Sequence, residues 1–225
     1  NHGNRLVPIP DGSQARAFGA QQRFAQEMGK FKAAFNFHRN MIPAEDLTHP
    51  IELFSFARTQ VRPPLDSYGT HVAKIHLPAD ITSKMKQLAK GHRATAFHAY
   101  LAALQALLFR LLPASTTDKV FIGLADANRL DSKFMGSIGN FLNVLPLRFD
   151  RADKQSFGKA MEVARDRAYG VLAHSALPFD LLLDELDVPR SNSWAPIFQI
   201  FMDYRLVVKD HANKDWIGCK IGEEN

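Results

Sequence analysis

Cysteine is nearly absent from this sequence, because Cys219 is the only one among 225 residues. A single thiol excludes an intrachain disulfide framework and any metal site built from several cysteines, and it is typical of a reducing compartment. Long apolar runs are absent too, since Gln105 and Arg110 interrupt the most hydrophobic tract, residues 99–112. No signal-like segment opens the chain, so we expect a soluble, cytoplasmic protein without a membrane segment.

Recognisable catalytic and metal-binding patterns are also missing. No pair among the nine histidines has metal-site spacing, so we interpret His38, His76 and His98 as core or surface residues and predict no bound metal. The pattern H-x-x-x-D at 211–215, known from acyltransferases, lacks a following glycine and is of a kind that arises by chance. There is no G-x-S-x-G turn, no glycine-rich phosphate loop, and nothing beside Cys219 that would activate its thiol.

The positive charge is spread along the chain. The formal net charge is +5, but the lysines at 30–32 and 84–90 lie between apolar residues, and no block of five like charges occurs. We therefore predict no nucleic-acid partner. A solvated basic surface is the simplest interpretation, and a docking face for an acidic partner is the alternative.

The N-terminal third is predicted to be helical at first and irregular afterwards. Helical spacing of aromatic residues covers 15–41 with a break at Gly29, and a connector with several prolines follows. Two later segments have strand character. These are the apolar run 51–56 and residues 70–77, in which polar and apolar side chains alternate.

The rest of the chain alternates between helices and strands. Asp80 is predicted to cap a helix that ends at Gly91, and Thr95 to cap a strongly apolar helix. The elements expected after it are strand 120–126, strand 141–149, helix 157–172, a short helix starting at Pro178, and strand 197–208. This alternation indicates an α/β fold in which helices pack on a mixed sheet.

Three segments in a fixed order resemble the condensation domains of nonribosomal peptide synthetases. They are IGNFLNVLPLR at 138–148, HSALPFDLLLDEL at 174–186 and RSNSWAPIFQIFMDYR at 190–205. FGAQQRFAQ and IGLADANR are similar to other parts of the same family, so the resemblance covers nearly the whole chain. IGLADANR and FMDYR are most similar to fungal polyketide synthases that carry such a domain, including hybrid and statin-type synthases.

The resemblance assigns roles to individual residues. The first segment matches the family motif Ile-Gly-x-Phe-x-Asn-x-x-x-x-Arg, which implies a substrate channel lined by Gly139, Phe141 and Asn143. The residues implied to have a structural role in the three motifs are Arg148, His174, Pro178, Phe179, Asp180, Pro196, Phe198 and Gln199. Asp180 stands where the family has Glu, and Ile197 where it has Leu.

Family membership implies a fold similar to chloramphenicol acetyltransferase, in which two lobes face each other across a tunnel. The family's catalytic element, His-His-x-x-x-Asp-Gly, belongs to the N-terminal lobe and does not occur in these 225 residues. We therefore predict that residues 1–225 form a C-terminal lobe, lacking its last elements, that pairs with an N-terminal lobe. The start without methionine and the end directly after a strand-like segment also lead us to expect a part of a longer protein.

The implied reaction is an acyl transfer that forms an amide bond between a carrier-bound acyl thioester and a carrier-bound amine. The implied partners are an acyl carrier protein and a peptidyl carrier protein, with their phosphopantetheine arms as tethers and no directly bound cofactor. Because the histidine motif is missing, we predict that the chain alone forms no amide. Two alternatives stay open: a non-catalytic module that docks carriers or gates the product, and an ester-forming acyltransferase.

Asn143 has two interpretations. In a strand it points the same way as Phe141 and Leu145, so it is either a core amide satisfied by neighbouring backbone or a tunnel residue that orients a substrate carbonyl. On the second interpretation, Asn143→Ala should lower the turnover of the intact enzyme and leave its melting temperature within a few degrees. Arg148 points the other way and is expected to brace the strand end by pairing with a carboxylate or a carbonyl.

Overall fold

The computed structural model describes residues 10–47, 49–59, 61–64, 69, 71–129 and 131–205. The helices in these ranges are α1 (Ala15–Glu27), α2 (Lys32–Met41), α3 (Ala79–Gly91), α4 (Ala96–Leu111), α5 (Phe157–Leu172) and α6 (Phe179–Glu185). The strands are β1 (Lys119–Asp126), β2 (Asn143–Asp150) and β3 (Ile200–Met202), and three short 3₁₀ helices span Asp11–Ser13, Ala44–Leu47 and Ser132–Phe134. The predicted order of elements from α3 onwards is confirmed.

Within the described residues the strands form one sheet in the order β2-β1-β3. β1 and β2 are antiparallel, with Lys119 opposite Asp150 at one end and Asp126 opposite Asn143 at the other. β3 is parallel to β1, so the chain leaves β2, passes through α5 and α6, and re-enters the sheet on the far side of β1. The predicted mixed sheet is confirmed.

Capping side chains account for where the two longest helices begin. Thr95 caps α4 as predicted, and its backbone N–H donates to Nδ1 of His98, three residues on, at 3.1 Å. At the start of α5, the hydroxyl of Ser156 accepts the backbone N–H of Lys159 at 3.2 Å. Both caps satisfy backbone groups that a helix cannot pair internally.

Local sequence signals predicted the break between α1 and α2 but not the residue at which α3 begins. Gly29 adopts a φ of +64° and separates α1 from α2, as predicted from its position. The prediction for Asp80 was wrong, because α3 begins at Ala79 and Asp80 lies inside the first turn, where it pairs with Lys84 at 3.6 Å. A carboxylate in that turn still interacts favourably with the helix dipole.

Two predicted strands do not form. Residues 51–56 and 71–77 contain neither strand nor helix. All of 71–77 is exposed, including Val72 at 79% and Ile75 at 84%, so no strand in the described part of the chain pairs with this alternating segment. β3 is also shorter than the predicted strand 197–208, of which 206–208 lie outside the described residues.

The main core joins the sheet to the helices that cover it. α5 and α6 contact β2, and α4 packs against α3 and α5. Fully buried members of this core are Leu101, Ala102, Ile122, Leu147, Phe149, Met161, Ala164 and Ala168. A smaller cluster of Phe31, Ala34, Leu177 and Leu182 connects the α2 region to α6.

Among the described residues, no single helix is long and apolar enough to cross a membrane. α3 and α4 together reach the required length and composition, but they are bent by 101° at the break between them.

Candidate functional site

Asn143 connects the start of β2 to the turn that precedes α6. Its residue is 5% exposed, and its amide nitrogen donates to the backbone carbonyls of Ser175, at 2.8 Å, and Leu177, at 2.7 Å. Its side-chain oxygen accepts the backbone N–H of Phe179 at 3.1 Å. One side chain therefore holds three backbone groups of residues 175–179 against the end of the sheet.

These contacts match the first interpretation of Asn143, a core amide satisfied by backbone. We correct the expectation that Asn143→Ala leaves the melting temperature nearly unchanged, because the substitution would orphan three backbone groups at a buried position. The substrate-channel role stays a prediction. Because both amide hydrogens of Asn143 are already donated, Asn143 would affect a substrate by positioning the turn at residues 175–179 rather than by donating to the substrate.

Phe141 lies inside an aromatic cluster, which we define as Phe18, Phe134 and Phe141. The Phe141 ring centroid is 4.9 Å from that of Phe18 and 5.6 Å from that of Phe134. The guanidinium of Arg129 lies over the same ring, 4.2 Å from its centroid, and also donates to the carbonyl of Phe134. Phe141 is 3% exposed, because its ring is enclosed by these neighbours, and its role as a substrate-channel residue stays a prediction.

Gly139 brings the loop before β2 against the start of α1. A Cβ atom on Gly139 would lie 2.7 Å from the Cβ of Ala15, closer than two carbon atoms can approach. Its φ of +156° is also one that side chains rarely allow. Nearby, the hydroxyl of Ser137 donates to the carbonyl of Ser13. Gly139, a predicted channel residue, is exposed to solvent. Its backbone nevertheless packs closely against Ala15 at the start of α1.

Arg148 braces the sheet by pairing with carboxylates and a carbonyl, as predicted. Its Nε lies 2.8 Å from Asp150, and its Nη1 lies 3.4 Å from both Asp46 and the carbonyl of Met41. Asp46 also accepts a 2.8 Å hydrogen bond from Lys119, and this bond raises the pKa of the Lys119 ammonium. The Asp46 side chain is only 8% exposed, so two cations compensate one nearly buried carboxylate.

The second motif forms the turn and the first residues of α6. His174 packs its ring on that of Phe37, with centroids 4.4 Å apart. Pro178 immediately precedes α6 and leaves no N–H to be satisfied there. Phe179 is the residue whose N–H Asn143 accepts, and Asp180 is exposed in the first helical turn.

The third motif packs across the sheet. The Phe198 ring lies over Gly123 of β1, where a Cβ atom would come within 2.3 Å of it, so any side chain at this position would displace the ring. Pro196 supports a tight turn in which its carbonyl accepts the N–H of Phe198 at 2.7 Å. The side chain of Gln199 accepts the N–H of Ile51 at 2.7 Å and ties the connector to the start of β3.

The three motifs meet in one chain of contacts. Asn143 of the first motif binds the backbone of Phe179 in the second. The ring of Phe179 in turn contacts that of Phe198 in the third, with centroids 5.7 Å apart. Residues 55 positions apart in the sequence, Asn143 and Phe198, are therefore linked at one part of the sheet, although Arg148 belongs to a separate cluster with Asp46.

Two aspartates at the sheet were missed by the sequence reasoning. Asp46 left no local signal, because its partners Lys119 and Arg148 are 73 and 102 residues away. Asp126 ends β1 opposite Asn143, and its Oδ2 is buried without a hydrogen-bond partner in the described structure. A carboxylate that closes the apolar run VFIGLAD is a signal that could have identified Asp126.

The histidines behave as core and surface residues, as predicted. His38 is buried, and burial, followed by the nearby His174, lowers its pKa to about 4. His98 is also buried, which lowers its pKa, and His76 is exposed. No group of three or more histidine, cysteine or acidic residues in the described ranges is arranged to hold a metal ion. The pattern at 211–215 and Cys219 lie outside those ranges.

A family model described as "Condensation domain" matches residues 44–217. The chain belongs to the condensation-domain family. It is 80% identical over 223 residues to the hybrid PKS-NRPS synthetase tasS of Hapsidospora irregularis, and 50% identical over 225 residues to the equisetin synthetase eqxS of Fusarium heterosporum. These alignments cover 99% and 100% of this condensation-domain chain but only 6% of each relative.

Solved structures show the same fold. The condensation domain from the Monacolin K polyketide synthase MokA matches with a TM-score of 0.71 and 24% identity, over 88% of this chain and 46% of that chain. The X-domain from teicoplanin biosynthesis matches with a TM-score of 0.74 and 19% identity, over 88% of this chain and 43% of that one. The predicted family and fold class are confirmed, while the assignment of residues 1–225 to a single lobe stays a prediction.

Proposed function

We propose that this condensation-domain chain takes part in amide bond formation between two carrier-bound substrates. The amine nitrogen of the acceptor would attack the thioester carbon of the donor, the C–S bond would break, and the amine would give up a proton as the thiol leaves. The observation that carries the proposal is the contact chain Asn143–Phe179–Phe198, which joins all three family motifs. Named relatives at 80% and 50% identity, both synthetases, support it.

The motif residues of this chain supply position rather than proton transfer. Asn143 donates both amide hydrogens to backbone carbonyls, Arg148 is paired with carboxylates, and the His174 ring packs on Phe37. A general base typically contributes about 10²- to 10⁴-fold in rate and must reach the proton that it removes. We therefore propose that the base comes from an N-terminal lobe outside this chain, and that residues 1–225 alone form no amide.

The proposed partners follow from the same reaction. The donor would arrive on an acyl carrier protein and the acceptor on a peptidyl carrier protein, each on a phosphopantetheine arm that serves as the tether. We place the reaction in the cytoplasm. Holding two tethered substrates in line can itself accelerate a bimolecular step strongly, so a domain that only positions them contributes to the rate.

The test compares the intact condensation domain with residues 1–225. Loaded donor and acceptor carriers are mixed with each protein, and products are identified by mass spectrometry. We expect amide from the intact domain and the no-protein rate from the short chain. Amide from the short chain would contradict the division of roles, and ester from an alcohol acceptor without amide would favour the ester-forming alternative. Binding of carriers by an intact domain that forms neither product would favour the docking module.

A further inference from the structure

The aromatic cluster borders a small cavity, to whose lining the three motif segments contribute one residue, Ala176. The cavity has a volume of about 120 Å³ and lies between α1, the loop before β2 and the turn before α6. Its apolar lining is Phe18, Ala25, Phe31, Phe134 and Ala176. Two of these rings are almost fully buried, Phe31 at 6% and Phe134 at 1% exposure, so they form the floor.

Ring contacts and a hydrogen bond hold two walls of the cavity in place. Phe18 meets Phe134 edge-on, with ring centroids 5.3 Å apart, and both contact Phe141 behind them. The loop that carries Phe134 is tied to the residues before α1 by the hydrogen bond that the Ser137 hydroxyl donates to the carbonyl of Ser13. Closely packed walls yield little, so such a cavity favours ligands that fill it.

Asn143 sets the position of the third wall. Ala176 lies between Ser175 and Leu177, whose two carbonyls the Asn143 amide binds at 2.8 and 2.7 Å. The motif asparagine is therefore a positioning residue for the Ala176 side of the cavity. This link connects the family's first motif to a surface that has no assigned role.

The lining also indicates the chemistry of the occupant. Polar groups of Gln21, Gln22, Asn128 and Asp131 complete it, and Asp131 Oδ1 already accepts the N–H of Lys133 at 3.1 Å. The Asp131 carboxylate is paired with the Lys133 ammonium at 3.2 Å, so these two charges compensate each other at the edge of the cavity. Aromatic rings and alanine methyl groups favour an uncharged hydrocarbon.

We propose that this cavity receives the apolar end of the acyl group on the donor thioester. The inference rests on the proposed acyl transfer, which supplies an acyl chain, and it goes further by assigning a place to that chain. An apolar cavity of about 150 Å³ binds benzene in another protein, so a volume of this order admits roughly four or five carbons. The cavity would therefore select donors by the length and bulk of their chain ends.

The test measures affinity rather than turnover. Octanoyl-pantetheine and acetyl-pantetheine are titrated into the intact condensation domain by calorimetry, for the wild type, Ala176→Phe and Ala173→Phe. Both alanines are exposed and three residues apart, but only Ala176 lines the cavity, so Ala173→Phe is the matched control. Ala25→Leu fills the cavity from the opposite wall and is used if Ala176→Phe lowers the melting temperature.

We expect the wild type to bind the octanoyl compound at least tenfold more tightly than the acetyl compound, because each buried methylene is worth roughly fourfold in affinity. Ala176→Phe should reduce this preference to less than about threefold, with acetyl affinity unchanged, and Ala173→Phe should keep it. Equal affinities in the wild type, or equal behaviour of the two variants, would overturn the inference. A domain that shows the length preference but forms no amide would uphold the cavity and refute the proposed reaction.

Discussion

The side-chain nitrogen of Asn143 lies 2.7 Å from the carbonyl oxygen of Leu177, and this hydrogen bond ties the first residue of β2 to the turn before α6. The same side chain binds Ser175 and Phe179. A strand and a helix that are neighbours only in space are thus fixed by one amide. Asn143 therefore has a structural role, independent of any contribution to the reaction.

Asn143→Ala should destabilise the intact domain. It removes three hydrogen bonds at a buried position, and orphaned buried groups cost about 1–3 kcal/mol each, so we expect a total loss of about 2–4 kcal/mol after partial rescue by water. The melting temperature, measured by calorimetry, should fall by several degrees. Asn140→Ala is the control, because the Asn140 side chain makes an exposed contact to the N–H of Leu142. Equal melting temperatures for both variants would contradict the structural role.

Gly139→Ala should also lower the melting temperature, by an amount that corresponds to about 1–3 kcal/mol. The added methyl group would lie 2.7 Å from the Cβ of Ala15, and the backbone φ of +156° disfavours any side chain. Gly136→Ala is the matched control three residues earlier, because a Cβ there would meet nothing within 4 Å. If Gly139→Ala melts like Gly136→Ala, the loop before β2 does not depend on close contact with α1.

Asp46→Ala should remove the shared partner of Lys119 and Arg148. Loss of one member of a largely buried ion pair leaves the other charges uncompensated, and we expect a cost of about 2 kcal/mol because both cations keep some solvent contact. Asp118→Ala is the control, since Asp118 also pairs with Lys119 but its side chain is 80% exposed. Urea denaturation monitored by fluorescence measures both, and an equal loss would show that the burial of Asp46 is unimportant.

His38 should make the stability of the domain depend on pH on the acidic side. Its pKa is lowered to about 4 in the folded state by burial and by His174, whereas an unfolded histidine titrates near 6.5. As the pH falls from 6.5 to 4, His38 becomes protonated in the unfolded state but stays neutral in the folded state. The free energy of unfolding therefore decreases, by up to about 3 kcal/mol.

His38→Leu should flatten this dependence, because a leucine has no proton to gain. The measurement is the melting temperature between pH 7 and pH 4.5. His76→Leu, at an exposed histidine, should leave the slope as in the wild type. A slope that is unchanged in His38→Leu would show that other groups cause the acid sensitivity.

Local signals predicted the parts of the fold that depend on neighbouring residues. Thr95 caps α4 because a hydroxyl three residues before a histidine satisfies free N–H groups whatever the rest of the chain does. The alternation in β2 held in part, since Asn143, Leu145, Leu147 and Phe149 are buried and Val144 and Arg148 are half-buried, but Pro146 is buried as well. The positive charge of Arg148 was enough to predict that it pairs with a carboxylate or a carbonyl.

Contacts between distant segments were beyond such signals. Alternation in 71–77 described a strand, but a strand needs a partner for its backbone groups, and none of the described strands pairs with it. The enclosure of Phe141 depends on Phe18, which is 123 residues away in the sequence. Composition and spacing carry no information on such pairings, and only the assembled chain shows them.

The cluster of Asp46, Lys119 and Arg148 has a consequence for building chimeric synthases. Residues 71–78 are exposed throughout, so they offer a junction at which two parental sequences can be joined with little disturbance of the core. A junction there takes Asp46 from one parent and both cations from the other. Parents that each retain this carboxylate and both positive charges are therefore compatible at the junction, and a parent that lacks one of them brings an unbalanced charge into the hybrid.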